Sequence, residues 1–318
     1  MTDLDKLISR AESMLGRLEQ LMPAVDAPDW DAAFAFRWRR RRTGFGVQAY
    51  LQPVRHVSAI RLSDLKHVDA QKKAIERNTR QFVAGLPANN VLLTGSRGTG
   101  KSSLIKACLN AYAGKGLRLI EVDKDDLVDL PDIVDIVAGR PERFVVFCDD
   151  LSFEEGEAGY KALKVALDGS VAAQSDNVLI YATSNRRHLM PEYMAENLEA
   201  KHQEDGEIHP GERVEEKISL SERFGLWVSF YPFRQDDYLA IVAHWLGSFG
   251  CVQGEIEDAR GDALRFALER GSRSGRVAWQ FAKDWAGRHG GRGSAPAGKD
   301  DARSDTGDTR TGTRGRRR

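Results

Sequence analysis

Short apolar runs alternate with longer amphipathic stretches through the middle of the chain. The runs are too short to be buried helices, and runs of this length are typical of strands buried on both faces. Strands that alternate with helices predict a largely parallel sheet covered by helices, so we expect an α/β fold. The predicted strands lie at 91–93, 117–122, 144–148, 178–182 and 226–230.

Apolar positions recur at helical spacing before, between and after these strands, at 4–21, 64–83 and 102–112. From residue 235 onward the strand signals fade, and the pattern predicts helices only. We therefore expect an N-terminal helical and linker region at 1–59, an α/β domain at 60–234 with a flexible acidic insertion at about 192–217, a small helical domain at 235–286, and a disordered, arginine-rich tail at 287–318.

Composition and charge add little about partners. The 318 residues contain 47 Lys and Arg and 47 Asp and Glu, so the formal net charge is zero. The three cysteines are scattered and lack metal-ligand spacing, which disfavours a disulfide framework or a zinc site. The N-terminus lacks the uncharged core of a signal peptide, and no apolar run is long enough to span a bilayer. We expect a soluble, cytoplasmic protein without a membrane partner.

A glycine-rich loop follows the first predicted strand and precedes a helix. It matches G-x-x-x-x-G-K-[ST], whose backbone N–H groups wrap around phosphate oxygens at a helix N-terminus; the alternative is a glycine-rich turn that matches by chance. Lys101 is expected to contact the β and γ phosphates and the Ser102 hydroxyl to bind Mg²⁺. The candidate phosphate-binding residues are Gly95, Ser96, Arg97, Gly98, Thr99, Gly100, Lys101, Ser102 and Ser103.

Two carboxylates end the apolar run FVVFCDD at 144–150. A Mg²⁺ ion held mainly by phosphates still needs a protein carboxylate, and the end of a buried strand is a suitable place for one. We expect Asp149 to bind the metal and Asp150 to orient and deprotonate the attacking water. Taken without the loop, the pair would read equally well as a helix cap.

Three further polar residues follow in order. Asn185 ends the strand at 178–182 in the triplet TSN and is a candidate for holding the water. Arg223, in SERFG just before the last strand, would reach from one subunit toward a neighbour's γ phosphate. Arg276, at the start of a late helix, would touch the nucleotide of its own subunit. For each arginine, a surface salt bridge is the alternative.

This order of motifs resembles Walker A, Walker B, sensor 1, arginine finger and sensor 2 of AAA+ ATPases. The segments GSRGTGKSSL, RFVVFCDDLSFE, YATSNRRHL and SERFGLW are similar, more narrowly, to a bacterial family of AAA+ ATPases with no established physiological function, over about residues 60–281. The resemblance implies a nucleotide-binding domain with a helical lid, ATP with Mg²⁺, and homo-oligomers with sites at subunit boundaries. It also implies that His67 and Val68 lie beside the adenine.

The resemblance has two departures. Many relatives in the wider superfamily carry Glu where this chain has Asp150, which implies slow hydrolysis or help from Glu154, although Asp-Asp occurs in proteins resembling helicase loaders. Members that thread polypeptides have an aromatic residue in a loop after the second strand. Here residues 123–131 read DKDDLVDLP, so we do not expect threading.

Three functions stay open from the sequence. The first is an ATPase that remodels an unidentified protein partner, and the second is a slow ATP-dependent switch or scaffold. The third is a helicase-loader-like ATPase that engages nucleic acid through the run RWRRRR at 37–42 or the arginine-rich tail; the alternative for this run is a solvated or subunit-contacting surface. A small-molecule kinase would leave the sensor and finger positions without a purpose.

Overall fold

The computed structural model describes residues 8, 10, 12–14, 28–44, 46–153, 157–168, 175–186, 189 and 220–289. The expectations for Glu154, for the insertion at 192–217 and for the tail beyond His289 concern residues outside these ranges. Of the N-terminal helix expected at 4–21, residues 8, 10 and 12–14 are described, and they are helical.

Within the described residues, seven strands form one sheet in the order β2-β1-β4-β5-β6-β3-β7. β1 and β2 pair antiparallel, and the other neighbours pair parallel. The mostly parallel sheet agrees with the predicted α/β fold. The strands are β1 (Ala35–Thr43), β2 (Gly46–Pro53), β3 (Val91–Gly95), β4 (Leu117–Glu121), β5 (Arg143–Cys148), β6 (Val178–Ser184) and β7 (Leu226–Phe230).

Seven helices are defined in the described part of the chain: α1 (Asp69–Val83), α2 (Lys101–Tyr112), α3 (Leu130–Val137), α4 (Ala158–Asp168), α5 (Gln235–Ser248), α6 (Gln253–Glu269) and α7 (Gly275–His289). Short 3-10 helices occupy Leu62–Asp64, Ala113–Lys115 and Lys124–Asp129. None of the described helices is long and apolar enough to cross a membrane.

The hairpin β1–β2 corrects the expectation of a helical or linker structure for this part of 1–59. Phe36 and Trp38 are buried, and β1 runs parallel to β4 and lies between β4 and the edge strand β2. The alternation that marks a strand covers only these positions, because arginines fill both faces from residue 39 to residue 42. The run of arginines is therefore the reason that the pattern does not predict β1 as a strand.

The sheet separates two apolar layers, because successive strand residues point to opposite faces. In β5, Val145 and Phe147 face the layer that contains α1 and α2, whereas Phe144 and Val146 face the layer that contains α3 and α4. Burial of each such side chain contributes about 1.5–3 kcal/mol. Apolar residues of α5–α7 join the first layer, so the late helices pack continuously with the core.

Candidate nucleotide-binding site

The predicted site residues meet at one edge of the sheet. β6 lies between β5 and β3, and all three strands are parallel, so their carboxyl ends meet. The glycine-rich loop follows β3, Asp149 and Asp150 follow β5, and Asn185 follows β6. Ligands of open α/β sheets bind at this edge.

Two glycines fix the path of the loop. Gly95 has φ +122°, and a Cβ at this position would lie 1.9 Å from the carbonyl oxygen of Phe230. Gly98 has φ +73°, and a Cβ there would lie 2.8 Å from the Oγ of Ser274. The loop therefore touches β7 on one side and the residue before α7 on the other, and at both contacts only glycine fits.

The rest of the loop is ordered by its own hydrogen bonds. The Thr99 hydroxyl donates to the carbonyl of Ser96 over 2.8 Å. Gly100 caps α2, and its carbonyl accepts a 2.8 Å bond from the N–H of Leu104. Arg97 is exposed. The loop thus leads directly into a helix N-terminus, where backbone N–H groups favour an anion.

Lys101 is 6% exposed and points back along the loop. Its Nζ donates to the carbonyls of Gly95 (2.6 Å) and Ser96 (2.9 Å) and to the Oδ1 of Asn185 (3.0 Å). The pKa of the Lys101 ammonium is lowered, mainly because the group is buried. The negative charges of Asp149 and Asp150 act in the opposite direction. A phosphate in this position would supply the negative charge that a buried ammonium lacks.

Asp149 accepts three hydrogen bonds on one carboxylate oxygen. Its Oδ1 accepts from the Oγ of Ser102 (2.6 Å), the Oγ1 of Thr183 (2.5 Å) and the N–H of Asp150 (3.2 Å). No described residue donates to its Oδ2. Ser102 and Asp149, the two residues predicted to bind metal, are thus in direct contact.

These oxygen donors fit Mg²⁺, which prefers hard ligands and takes few of them from the protein when phosphates are present. Within the described ranges, no group of three or more His, Cys, Asp and Glu side chains is placed to hold a metal ion by itself. Ser102 and Asp149 are the residues that would hold such an ion.

Asp150 has a left-handed backbone with φ +52°. Such a conformation costs a non-glycine residue about 1 kcal/mol or more, so surrounding contacts must hold it. Its N–H donates to the Oγ1 of Thr183 (2.9 Å), and its Oδ1 accepts a short bond from the Nδ2 of Asn185. Asn185 thus joins Asp150 to Lys101.

The start of α7 rests on the loop. The N–H of Arg276 donates to the carbonyl of Gly98 over 3.4 Å. Ser274 is buried, and its Oγ accepts from the N–H of Val277 over 3.3 Å, which caps the helix. The structure therefore places the backbone of Arg276 beside the loop, and its contact with the nucleotide stays a prediction.

His67 and Val68 precede α1. His67 has φ +59°, and its Nδ1 lies 2.9 Å from the Oδ1 of Asp237 in the first turn of α5. Val68 is buried and occupies the N-cap position of α1. The contact between His67 and Asp237 thus connects the segment that is expected beside the adenine to α5.

Arg223 lies after Ser221 and before β7, and its Nε forms an ion pair with the Oδ1 of Asp168 at the end of α4. The Arg223 side chain is 24% exposed. In this position it belongs to the surface of its own subunit, and its predicted role toward a neighbouring subunit stays a prediction.

Sequence reasoning missed four residues that contact the site residues. These are Thr183, Ser274, Asp168 and Asp237. Thr183 belongs to the triplet that signalled Asn185, but a polar triplet does not tell which side chain turns toward the acidic strand. The other three lie far from their contacts in the sequence, and their residue types are ordinary for a surface or a cap.

A family model described as "Protein of unknown function (DUF815)" matches residues 31–289, which is most of the chain. The chain belongs to this family. The match begins before β1, so the hairpin is part of the family's domain. No curated protein matches the chain.

Solved structures similar to this chain include a mutant of RuvB from Thermotoga maritima, with a TM-score of 0.46 and 15% identity over 71% of this chain and 64% of that one. They also include a DNA replication initiation factor, with a TM-score of 0.44 and 16% identity over 74% of this chain and 66% of that one. A third is the HORMA:CdnC:Trip13 complex of E. coli MS115-1, with a TM-score of 0.44 and 11% identity over 70% of this chain and 90% of that one. The chain thus spans less than two thirds of the RuvB mutant.

The mostly parallel sheet, the loop between β3 and α2 and the helices that follow agree with the AAA+ P-loop fold that the motifs predict. The strand that carries Asn185 lies between the strand that leads into the loop and the strand that ends in the acidic pair. Helices α5–α7 follow the α/β part and contact the loop at Gly98. In this DUF815 chain the late helices thus lie beside the loop, as the motif order predicts.

Proposed function

We propose that this DUF815 chain is an Mg²⁺-dependent ATP hydrolase whose cycle changes the conformation of a partner protein. The proposal rests on the continuous set of hydrogen bonds that joins Lys101 and Ser102 of the loop to Asp149, Asp150 and Asn185. A glycine-rich turn that matches by chance would not bring these side chains together across three strands.

Each residue has a distinct task in this proposal. Lys101 and the backbone of the loop bind and orient the β and γ phosphates. Ser102 and Asp149 hold Mg²⁺, which supplies charge neutralisation on the phosphate oxygens when bound. Asp150 accepts a proton from the attacking water, and Asn185 orients Asp150 by their hydrogen bond.

The route from the site to a partner runs through α7. Because the N–H of Arg276 bonds to Gly98 and Ser274 packs on the same residue, a shift of the loop moves the start of α7. His67 and Asp237 link the segment before α1 to α5 in the same way. We infer that nucleotide exchange reorients α5–α7 against the sheet.

The ion pairs of β1 disfavour nucleic-acid binding through residues 37–42. Arg37 pairs with Glu121, Arg39 with Asp123, and Arg40 with Asp126 and Asp129. Three of the five arginines thus already face carboxylates of the same chain. A phosphate backbone would have to compete with these carboxylates.

Asp150→Asn tests the proposed hydrolysis, because the amide is similar in shape but accepts no proton. We expect phosphate release in the presence of Mg²⁺ and ATP to fall by about 10²- to 10⁴-fold. Affinity for ATP should change little, since Asp150 is not expected to bind phosphate. The exposed Asp135→Asn on α3 is the matched control and should leave both quantities unchanged.

Three results would contradict the proposal. Absence of Mg²⁺-dependent phosphate release by the wild type would remove hydrolysis altogether. Unchanged turnover in Asp150→Asn would favour the slow switch or scaffold, in which nucleotide binding alone does the work. An equal loss in Asp135→Asn would indicate a general effect of lost charge.

A further inference from the structure

Thr183 stands at the end of β6 and faces the three residues that follow β5. The residue is 1% exposed. Its Oγ1 donates to the Oδ1 of Asp149 (2.5 Å) and accepts from the N–H of Asp150 (2.9 Å). Its carbonyl accepts from the N–H of Leu151 (2.6 Å). One residue thus contacts three consecutive residues of the acidic turn.

The Thr183 hydroxyl thus acts both as a donor and as an acceptor. A hydroxyl has one proton to donate, and this proton goes to the carboxylate of Asp149. The oxygen accepts from the backbone of Asp150, whose left-handed conformation needs such support. Replacement by an apolar side chain of equal size would leave both groups without this partner.

We propose that Thr183 is a positioning residue for the metal-binding carboxylate, a role that rests on the proposed function. By holding the Oδ1 of Asp149 it fixes the rotation of the carboxylate and keeps the Oδ2 available to the ion. By holding the N–H of Asp150 it fixes the direction of the neighbouring carboxylate. Partners of this kind orient metal ligands and raise metal affinity.

Thr183→Val and Thr183→Ser separate this role from packing. Valine keeps the shape and loses the hydroxyl, whereas serine keeps the hydroxyl. The probe is a fluorescent, non-hydrolysable ATP analogue. Its affinity is measured at increasing Mg²⁺ concentrations and, separately, in EDTA without Mg²⁺. We expect Thr183→Val to weaken Mg²⁺-dependent binding by about 10- to 100-fold and to leave binding in EDTA unchanged. Thr183→Ser should restore the Mg²⁺ dependence of the wild type.

Equal losses with Mg²⁺ and with EDTA would overturn the proposal, because they would indicate a distorted loop. Wild-type Mg²⁺ affinity in Thr183→Val would overturn it as well. Thr183→Ala, which removes the hydroxyl without adding a methyl in its place, gives the same test if the valine variant does not fold. A wild type that binds Mg²⁺ and the analogue without hydrolysing ATP would contradict the proposed function and leave the role of Thr183 intact.

Discussion

At Gly95 the loop passes so close to β7 that a single methyl group has no room. A Cβ would meet the carbonyl oxygen of Phe230 at 1.9 Å, and the backbone has φ +122°. We expect Gly95→Ala to lose about 3 kcal/mol or more of unfolding free energy, or to yield no folded protein. Thermal or denaturant unfolding measures this loss.

Gly261→Ala in α6 is the control for Gly95→Ala. Beyond the adjacent residues and the backbone of its own helix, no described atom lies within 4 Å of a Cβ at Gly261, which is inside α6. Alanine should therefore stabilise the protein by about 0.5–1 kcal/mol. A Gly95→Ala protein as stable as the wild type would show that the loop does not approach β7 this closely.

The three cysteines should be inert in the folded protein. Cys108, Cys148 and Cys251 are buried, and burial raises the pKa of Cys108 and of Cys148 to about 12. Burial also raises the pKa of Cys251. Because the thiolate is the reactive form, a disulfide reagent at pH 8 should modify almost no thiol before unfolding and all three afterwards. Rapid modification of the native protein would contradict this packing.

At the scale of elements, Arg40 connects β1 to the 3-10 helix at Lys124–Asp129. Its guanidinium donates to both carboxylate oxygens of Asp129, and the indole N–H of Trp38 donates to the same carboxylate over 2.8 Å. Since the Arg40 side chain is 36% exposed, we expect Arg40→Ala to cost only about 1 kcal/mol. Arg41→Ala, at an exposed position of the same strand, is the control and should cost less.

The cost of Arg40→Ala should also depend on pH. The hydrogen bond from Arg40 holds the pKa of Asp129 below its ordinary value of 3.8. The stabilisation is therefore complete above that value and is lost as the pH falls through the lower pKa of the folded state. Asp126, whose pKa is raised by burial, protonates first. Denaturant unfolding from pH 7 downward should show a difference between Arg40→Ala and wild type that narrows near pH 4 and below; a pH-independent difference would contradict the ion pair.

The elements of the sheet could be predicted wherever apolar runs carry the signal. β3, β5, β6 and β7 lie within about two residues of the runs at 91–93, 144–148, 178–182 and 226–230. β3, β5 and β6 are buried on both faces, and β7 at the other sheet edge is partly buried. β1 and β2 could not, because five of the nine residues of β1 are arginines and β2, which reads GVQAYLQP, has no continuous apolar run. Their apolar anchors reduce to isolated residues such as Phe36 and Trp38.

The site, like the sheet, could be predicted from the sequence only in part. The sequence indicates which strand ends carry polar residues, because a motif is a local pattern. It does not indicate that the Oγ1 of Thr183 turns to Asp149 or that Ser274 touches Gly98. Those contacts join residues 34 and 176 positions apart, and only strand order and helix docking bring them together.

At the scale of the whole molecule, Arg223 decides whether the site belongs to one subunit or to two. It forms an ion pair with Asp168 at the end of α4, on a partly exposed surface. If a second copy packs against this surface, Arg223 would face the neighbour's γ phosphate and offset transition-state charge. We therefore expect Lys101→Ala and Arg223→Ala to be inactive alone, for different reasons: the first lacks a working loop, and the second lacks a working finger.

Mixing the two variants tests this division directly. In a mixed assembly some sites combine the intact loop of an Arg223→Ala subunit with the intact Arg223 of a Lys101→Ala subunit, so ATP hydrolysis should return in part. Mixing Lys101→Ala with the exposed control Arg265→Ala should give no more activity than Arg265→Ala has in the same proportion. Failure of every mixture to recover activity under assembling conditions would confine each site to its own chain, and Arg223 would then serve the surface through Asp168.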